Sequence, residues 1–174
     1  MVESVKKRNQ IKIIIQDKPE RIEVVDIPQI IELYKSLWGR AHLFKPAEFK
    51  KVIKQKLSYS YKKEKESCLC NKEKELIACC LMEYDKKEDY VEIDLLIVKK
   101  DYQGFHLGKS LLSFCLNNCC DLNLKKFRLH VSDNNLPAIN LYKKFGFTIK
   151  EFIVNYYNEE QKDKDAYCMI LDMS

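Results

Sequence analysis

Four side chains and one turn in this sequence could carry chemistry. Glu92 and Asp94 lie within Val91–Val98, a run of branched apolar residues, and strand alternation puts both carboxylates on one face. His130 stands between Leu129 and Val131 and so faces away from both, and Tyr142 lies mid-way along a helix-patterned segment. A carboxylate or an imidazole can take a proton, and a tyrosine hydroxyl can give one. The same residues also fit plainer roles: an ion-paired strand acid, a satisfied core histidine and a packing tyrosine.

The turn is Gln103-Gly104-Phe105-His106-Leu107-Gly108, at the junction of that strand with a helix whose apolar positions Leu107, Leu111, Cys115 and Cys119 recur every four residues. A strand that turns tightly into a helix leaves the helix's first N–H groups unpaired and aimed at one spot, which makes an anion site. A nucleotide P-loop would need glycine at 103, where glutamine stands, although Gly108-Lys109-Ser110 has the right ending. A dinucleotide fingerprint needs three spaced glycines, and only two occur. The third reading is a loop for the pyrophosphate of coenzyme A.

The elements that must position these groups follow from pattern. Ile11–Ile15 and Arg21–Val25 are two candidates for a first strand, and the sequence does not decide between one and both. Asp26 reads as the N-cap of a helix carrying Ile27, Ile30, Ile31, Leu33, Tyr34 and Leu37, and a second helix is expected from about Ala47 to Leu57. Between them, Trp38, His42 and Phe44 form either a hydrophobic staple or a substrate-gripping loop. Ser58–Lys65 reads as a mobile connection. Cys68–Cys70 and Leu76–Tyr84 read as a hairpin, followed by the Tyr90–Val98 strand, the helix, and a strand at Phe127–Val131. A helix over Asn135–Phe145 has Pro137 in its first turn and Gly146 as its stop. Strands at Phe147–Val154 and Ala166–Leu171, joined by the charged stretch Asn158–Asp165, close the chain. The order is β-α-α-β-β-β-α-β-α-β-β, one α/β domain spanning residues 1–174.

Two motifs resemble the GNAT acetyltransferase superfamily. Val98 to Gly108 is similar to its acyl-CoA loop, whose pattern is Gln or Arg, two residues, Gly, one residue, then Gly or Ala. The inner glycine is His106 here, so either that position needs no positive φ or histidine tolerates one. Asn135 to Phe147 fits the second signature: Asn, two residues, Ala, three residues, Tyr, three residues, Gly-Phe. The resemblance implies a GNAT fold, a central mixed, mostly antiparallel sheet flanked by about four helices. It implies acetyl-CoA held by Ile97, Val98, Gln103, Gly104, Phe105, His106, Leu107, Gly108 and Lys109, with Asn135 and Tyr142 on the pantetheine side. Backbone N–H groups near Ile97 and Val98, at a splay in the strand, would receive the oxyanion. Tyr142 would protonate the departing thiolate.

Leu129-His130-Val131 and the Asn155-Tyr156-Tyr157 segment are similar to N-terminal protein acetyltransferases, where a tyrosine pair covers the peptide and a strand histidine can serve as base. Glu92 stands where several GNAT enzymes have a catalytic glutamate, and where the N-terminal acetyltransferases have tyrosine. Glu92 and His130 are both expected to act, through a shared water, with Glu92 the stronger contributor. Phe44, Asp94, Tyr156 and Tyr157 fall on the acceptor side. The implied activity is direct acetyl transfer from acetyl-CoA to an amine, with the α-amino group of a protein N-terminus as leading acceptor. The alternatives are a polyamine, an aminoglycoside, a lysine side chain, or a catalytically silent acyl-CoA-binding or auxiliary subunit. An auxiliary or ribosomal partner is compatible with either.

Composition narrows the classes. Lys and Arg outnumber Asp and Glu by 31 to 26, a net charge of +5 spread along the chain, which suits a phosphorylated cofactor and is too mild to argue for nucleic acid. No apolar run reaches membrane-spanning length, and Met1–Gln10 is polar and not signal-like. The eight cysteines form no matched C-x-x-C pairs, so reduced core thiols in the cytoplasm, and no metal, are expected.

Overall fold

The computed structural model describes residues 18–38, 51–55, 57–64, 74–157 and 165–174. Its elements are β1 (Glu20–Arg21), α1 (Ile27–Trp38), β2 (Tyr59–Glu64), β3 (Lys74–Asp85), β4 (Tyr90–Val98), α2 (Leu107–Asp121), β5 (Lys126–Ser132), α3 (Leu136–Lys144), β6 (Thr148–Ile153) and β7 (Ala166–Asp172). Residues 51–54 are also helical. The seven strands follow the order β1-β2-β3-β4-β5-β7-β6. β4 and β5 run parallel, whereas β1–β2, β2–β3, β5–β7 and β6–β7 are antiparallel. This is the mixed, mostly antiparallel α/β architecture expected from the pattern. Ile11–Ile15, His42, Phe44 and Cys68–Cys70 lie outside the described residues.

The chain divides into two compact units. One takes in the described residues up to Leu81 together with Leu95–Asn117; the other takes in Met82–Asp94 and Asn118–Ser174. In the first, α1 turns Ile27, Ile30, Leu33 and Tyr34 inward at helical spacing, and they join Val52, Ile53, Leu76, Cys79, Leu81, Leu95 and Ile97 in one apolar cluster. Two expectations fail in this unit. Ser58–Lys65 is no mobile connection: Tyr59–Glu64 is strand β2, paired with β3, and Tyr59, Ser60, Tyr61 and Lys62 are all buried. The lysines masked the strand, because Lys62 is buried with its charge paired to Asp26 at 2.8 Å and Glu20 at 4.0 Å. Asp26 is not a simple N-cap either. It closes a 3-10 turn over Val24–Asp26, and its carboxylate accepts the Glu23 N–H at 2.9 Å in a reciprocal capping box. Breaking a buried pair such as Asp26–Lys62 from one side costs about 3–5 kcal/mol, because it strands the other charge.

In the second unit the strict alternation of β5 buries Phe127, Leu129 and Val131 and leaves Arg128 and His130 on the opposite face. β4 does the same with Val91 and Ile93 inward and Glu92 and Asp94 opposite. The two strands pair in register, Val91 with Phe127, Glu92 with Arg128 and Ile93 with Leu129. β5 and β7 then align over seven pairs, from Lys126–Asp172 to Ser132–Ala166. α3 starts at the Asn135 cap with proline in its first turn and stops before Gly146, whose φ of +92° suits a residue without a Cβ.

Candidate active site

The turn after β4 is built as an anion cradle. Gly104 has φ +80° and His106 has φ +62°, so the chain bends twice through the left-handed region just before α2. Histidine therefore does tolerate the conformation at the inner position of the loop motif. A Cβ on Gly104 would meet nothing within 4 Å, so glycine is required there by its backbone angle and not by crowding. Gly108 lies inside α2. The first backbone bond of the helix turn is from Ser110 N–H to the His106 carbonyl at 2.9 Å. By helix geometry the N–H groups of Leu107, Gly108 and Lys109 have no carbonyl of their own helix to meet. The Gln103 amide donates to the Val98 carbonyl at 3.0 Å and ties the two ends of the turn together.

The same unit braces this turn from the side. Lys99 pairs with Glu75, Lys63 lies 3.4 Å from Glu75, and the Lys63 ammonium sits 5.5 Å from the centre of the Tyr102 ring. Burial alone would raise the Glu75 carboxyl, but its bonds and charges from Lys99 and Lys63 outweigh that and lower it. Beside the turn, a cavity of about 450 Å³ is bordered by His106, Lys109, Ser110, Tyr61 and Lys18. Tyr61 and Ser110 share a hydrogen bond of 2.8 Å across it. Lysines, hydroxyls and free helix N–H groups fit a phosphate-bearing ligand such as coenzyme A.

The second unit gathers the proton-handling residues. Glu92 uses both oxygens: Oε1 lies 2.9 Å from His130 Nδ1, and Oε2 accepts from Arg128 Nε at 2.6 Å. Parallel pairing explains this, because Arg128 is directly opposite Glu92 and His130 is the next residue on the same face. Glu92 and His130 are in direct contact. Burial pushes the Glu92 carboxyl up, but the hydrogen bonds and charges of His130 and Arg128 prevail and hold it below the usual range. An ionised carboxylate only accepts, so Nδ1 is the donor in this contact and Nε2 is the ring nitrogen left for another partner.

Tyr156 and Tyr157 lie in the segment after β6. The Tyr156 ring stacks on His130 at 4.5 Å and 11°, and Tyr157 meets Tyr156 edge-on at 4.9 Å. The Tyr157 hydroxyl donates to the His130 carbonyl at 3.5 Å. Burial raises the Tyr156 hydroxyl, and the negative charges of Glu92 and Asp94 add to that shift. Tyr142 is buried, with its ring 5.7 Å from that of Phe147. Asn135 is not wholly free, as its side-chain oxygen caps α3 by accepting the Ala138 N–H at 3.3 Å; its amide nitrogen is the group left for a ligand. The β4–β5 register runs from Val91–Phe127 to Ile93–Leu129, and β4 continues to Val98.

Sequence reasoning joined Glu92 to His130 through a water and grouped His130 with Tyr156 and Tyr157, and the structure puts all four in one chain of contacts. It missed Arg128, which lies two residues before His130 on the same strand face. That spacing was the available signal. Among the expected acceptor residues, Phe44 lies outside the described residues.

Residues 27–147 match the profile of the acetyltransferase (GNAT) family. The chain is 38% identical over 64 residues to a probable spermine N(1)-acetyltransferase of Bacillus subtilis subsp. natto, a match covering 36% of this chain and 42% of that protein. It is 34% identical over 80 residues to N-alpha-acetyltransferase 50 of Danio rerio, covering 45% and 48%. The likeness to these curated relatives thus spans less than half of their length. Among solved structures, Arabidopsis thaliana Naa50 in complex with the bisubstrate analogue CoA-Ac-MVNAL superposes with a TM-score of 0.71 at 25% identity, over 88% of this chain and 96% of that one.

Proposed function

This chain belongs to the acetyltransferase (GNAT) family, and on that premise we propose that it transfers the acetyl group of acetyl-CoA directly to the α-amino group of a peptide or protein N-terminus. Gln103 to Lys109 hold the pyrophosphate through backbone N–H groups and the helix dipole. Bound acetyl-CoA supplies the activated thioester and the sulfur leaving group. His130 takes the proton of the incoming ammonium at Nε2, while Glu92, hydrogen-bonded to Nδ1, orients the ring and offsets the imidazolium charge. Tyr142 gives its hydroxyl proton to the departing sulfur and is restored by the second proton that the attacking nitrogen sheds as the amide forms, and the N–H groups at Ile97 and Val98 receive the oxyanion.

The observation that carries the acceptor class is the aromatic pair: Tyr156 lies flat on the base ring, and Tyr157 stands against it. Flat, half-exposed tyrosines suit the backbone and first side chain of a peptide. A polyamine is the second reading, supported by the likeness to the spermine enzyme. It is the weaker one, because polycations seek several free carboxylates and Glu92 is already neutralised by Arg128.

Thiol release from acetyl-CoA, measured against a panel of free N-terminal peptides and a panel of polyamines, tests this reading. The expected result is peptide-dependent release with the higher kcat/KM. Faster release with spermine or spermidine would overturn it, and release that no acceptor stimulates would favour a binding role.

A further inference from the structure

We propose that Arg128 is a positioning and specificity residue: it holds Glu92 as the fixed partner of His130 and keeps that carboxylate away from cationic acceptors. The inference rests on His130 being the base of the reading above.

The carboxylate has two oxygens and two claimants. Arg128 Nε takes Oε2 at 2.6 Å and His130 Nδ1 takes Oε1 at 2.9 Å. The guanidinium is itself anchored three ways, by Glu92, by Glu88 at 3.9 Å, and by the Tyr90 ring with its centre 5.5 Å away. With Arg128 locked, Glu92 cannot rotate toward an incoming ammonium without breaking a charge-assisted bond. The other charged or titratable groups that act on this cluster include Asp85 near Arg128, Asp94 on β4, Tyr156 over the imidazole, and Cys168, the β7 partner of His130, with Glu151 and Lys150 near it. Glu92 and Arg128 cancel, so of the carboxylates around this cluster Glu92 is the one withheld from a polyamine or lysine ammonium. Such amines also need the stronger base: a lysine-type amine has a reference pKa of about 10.4, against about 8 for an α-amine. Releasing Glu92 would supply both an ion-pair partner and a second proton acceptor to the cationic substrates.

Two variants separate charge from packing. Arg128→Met keeps a long apolar stem and removes the cation, and Arg128→Lys keeps the cation and loses the planar fork. The first readout is the titration of the His130 ring protons by NMR in the full chain, which needs no acceptor. The second is the ratio of kcat/KM for spermidine to that for a free N-terminal peptide. In Arg128→Met the imidazole midpoint should move to higher pH, because a cation is lost while the carboxylate stays. The spermidine-to-peptide ratio should rise about tenfold. Arg128→Lys should keep both within about twofold of wild type. An Arg128→Met protein with native circular dichroism and an unmoved midpoint overturns the positioning role; a moved midpoint with an unmoved ratio overturns the specificity role. Absence of peptide acetylation by wild type would refute the function proposed above and leave the midpoint as the measure of Arg128.

Discussion

His130 Nδ1 lies 2.9 Å from Glu92 Oε1, the contact on which the proposed roles of imidazole base and carboxylate partner rest. Glu92 is held below the ordinary carboxyl range, with burial opposing and the His130 and Arg128 contacts prevailing, so it stays ionised throughout the neutral region and does not set the acid limb of the rate profile. His130→Asn should abolish that limb and lower kcat/KM about 10²-fold. Glu92→Gln should keep a limb but move it to lower pH, since an imidazole that loses an anionic neighbour is easier to deprotonate. A limb that survives in His130→Asn would remove His130 from the base role.

The same carboxylate links stability to pH. A carboxyl lowered by folding contributes stability that is complete above its unfolded value of about 4.3 and disappears as pH falls through the folded value. The melting temperature of wild type should therefore exceed that of Glu92→Gln at pH 7, and the gap should close on acidification below about pH 4. A gap that persists unchanged to pH 3 would mean that Glu92 stabilises the fold by packing and not by charge.

Tyr142→Phe removes one hydroxyl from a buried ring whose edge-on contact with Phe147 stays available. Turnover should fall about 10²-fold, the lower end for general acid catalysis. Acetyl-CoA affinity by calorimetry should be nearly unchanged. Full activity would leave Tyr142 with a packing role alone.

The left-handed positions of the turn after β4 are Gly104 and His106, and Gly108 lies within the helix. An alanine at 104 meets no steric obstacle within 4 Å, so the cost of Gly104→Ala is the left-handed backbone alone, about 1–2 kcal/mol. Calorimetry should read this as an approximately tenfold weaker acetyl-CoA Kd, or thermal melting as an equivalent loss of stability. Unchanged affinity and melting together would show that the loop does not need this conformation.

Much of the fold was legible because period and punctuation agreed. Leu107, Leu111, Cys115 and Cys119 are all buried on α2, and Pro137 and Gly146 bracket α3. Strand β2 was not legible: its lysines and serine read as solvent-exposed, and Lys62 is buried through partners distant in sequence, Asp26 and Glu20. The site was legible residue by residue but not as a constellation. Alternation gives the face of Glu92 and the face of His130, while their contact depends on the β4–β5 register, which one sequence does not contain. That register also brings Arg128 opposite Glu92, where it ion-pairs the carboxylate that the sequence put forward as the stronger base. The Asn135 side chain was expected to be open to a ligand, yet half of it is consumed by the cap that its position before Leu136 makes available.

The central claim, transfer to an α-amine, is met most directly by one peptide that carries a free N-terminus and an internal lysine. After incubation with acetyl-CoA, tandem mass spectrometry locates the acetyl group. Acetyl on the α-nitrogen, with the lysine unmodified and the product absent in His130→Asn, is the result this account predicts. Acetyl on the lysine side chain, or equal labelling of both amines, would contradict it.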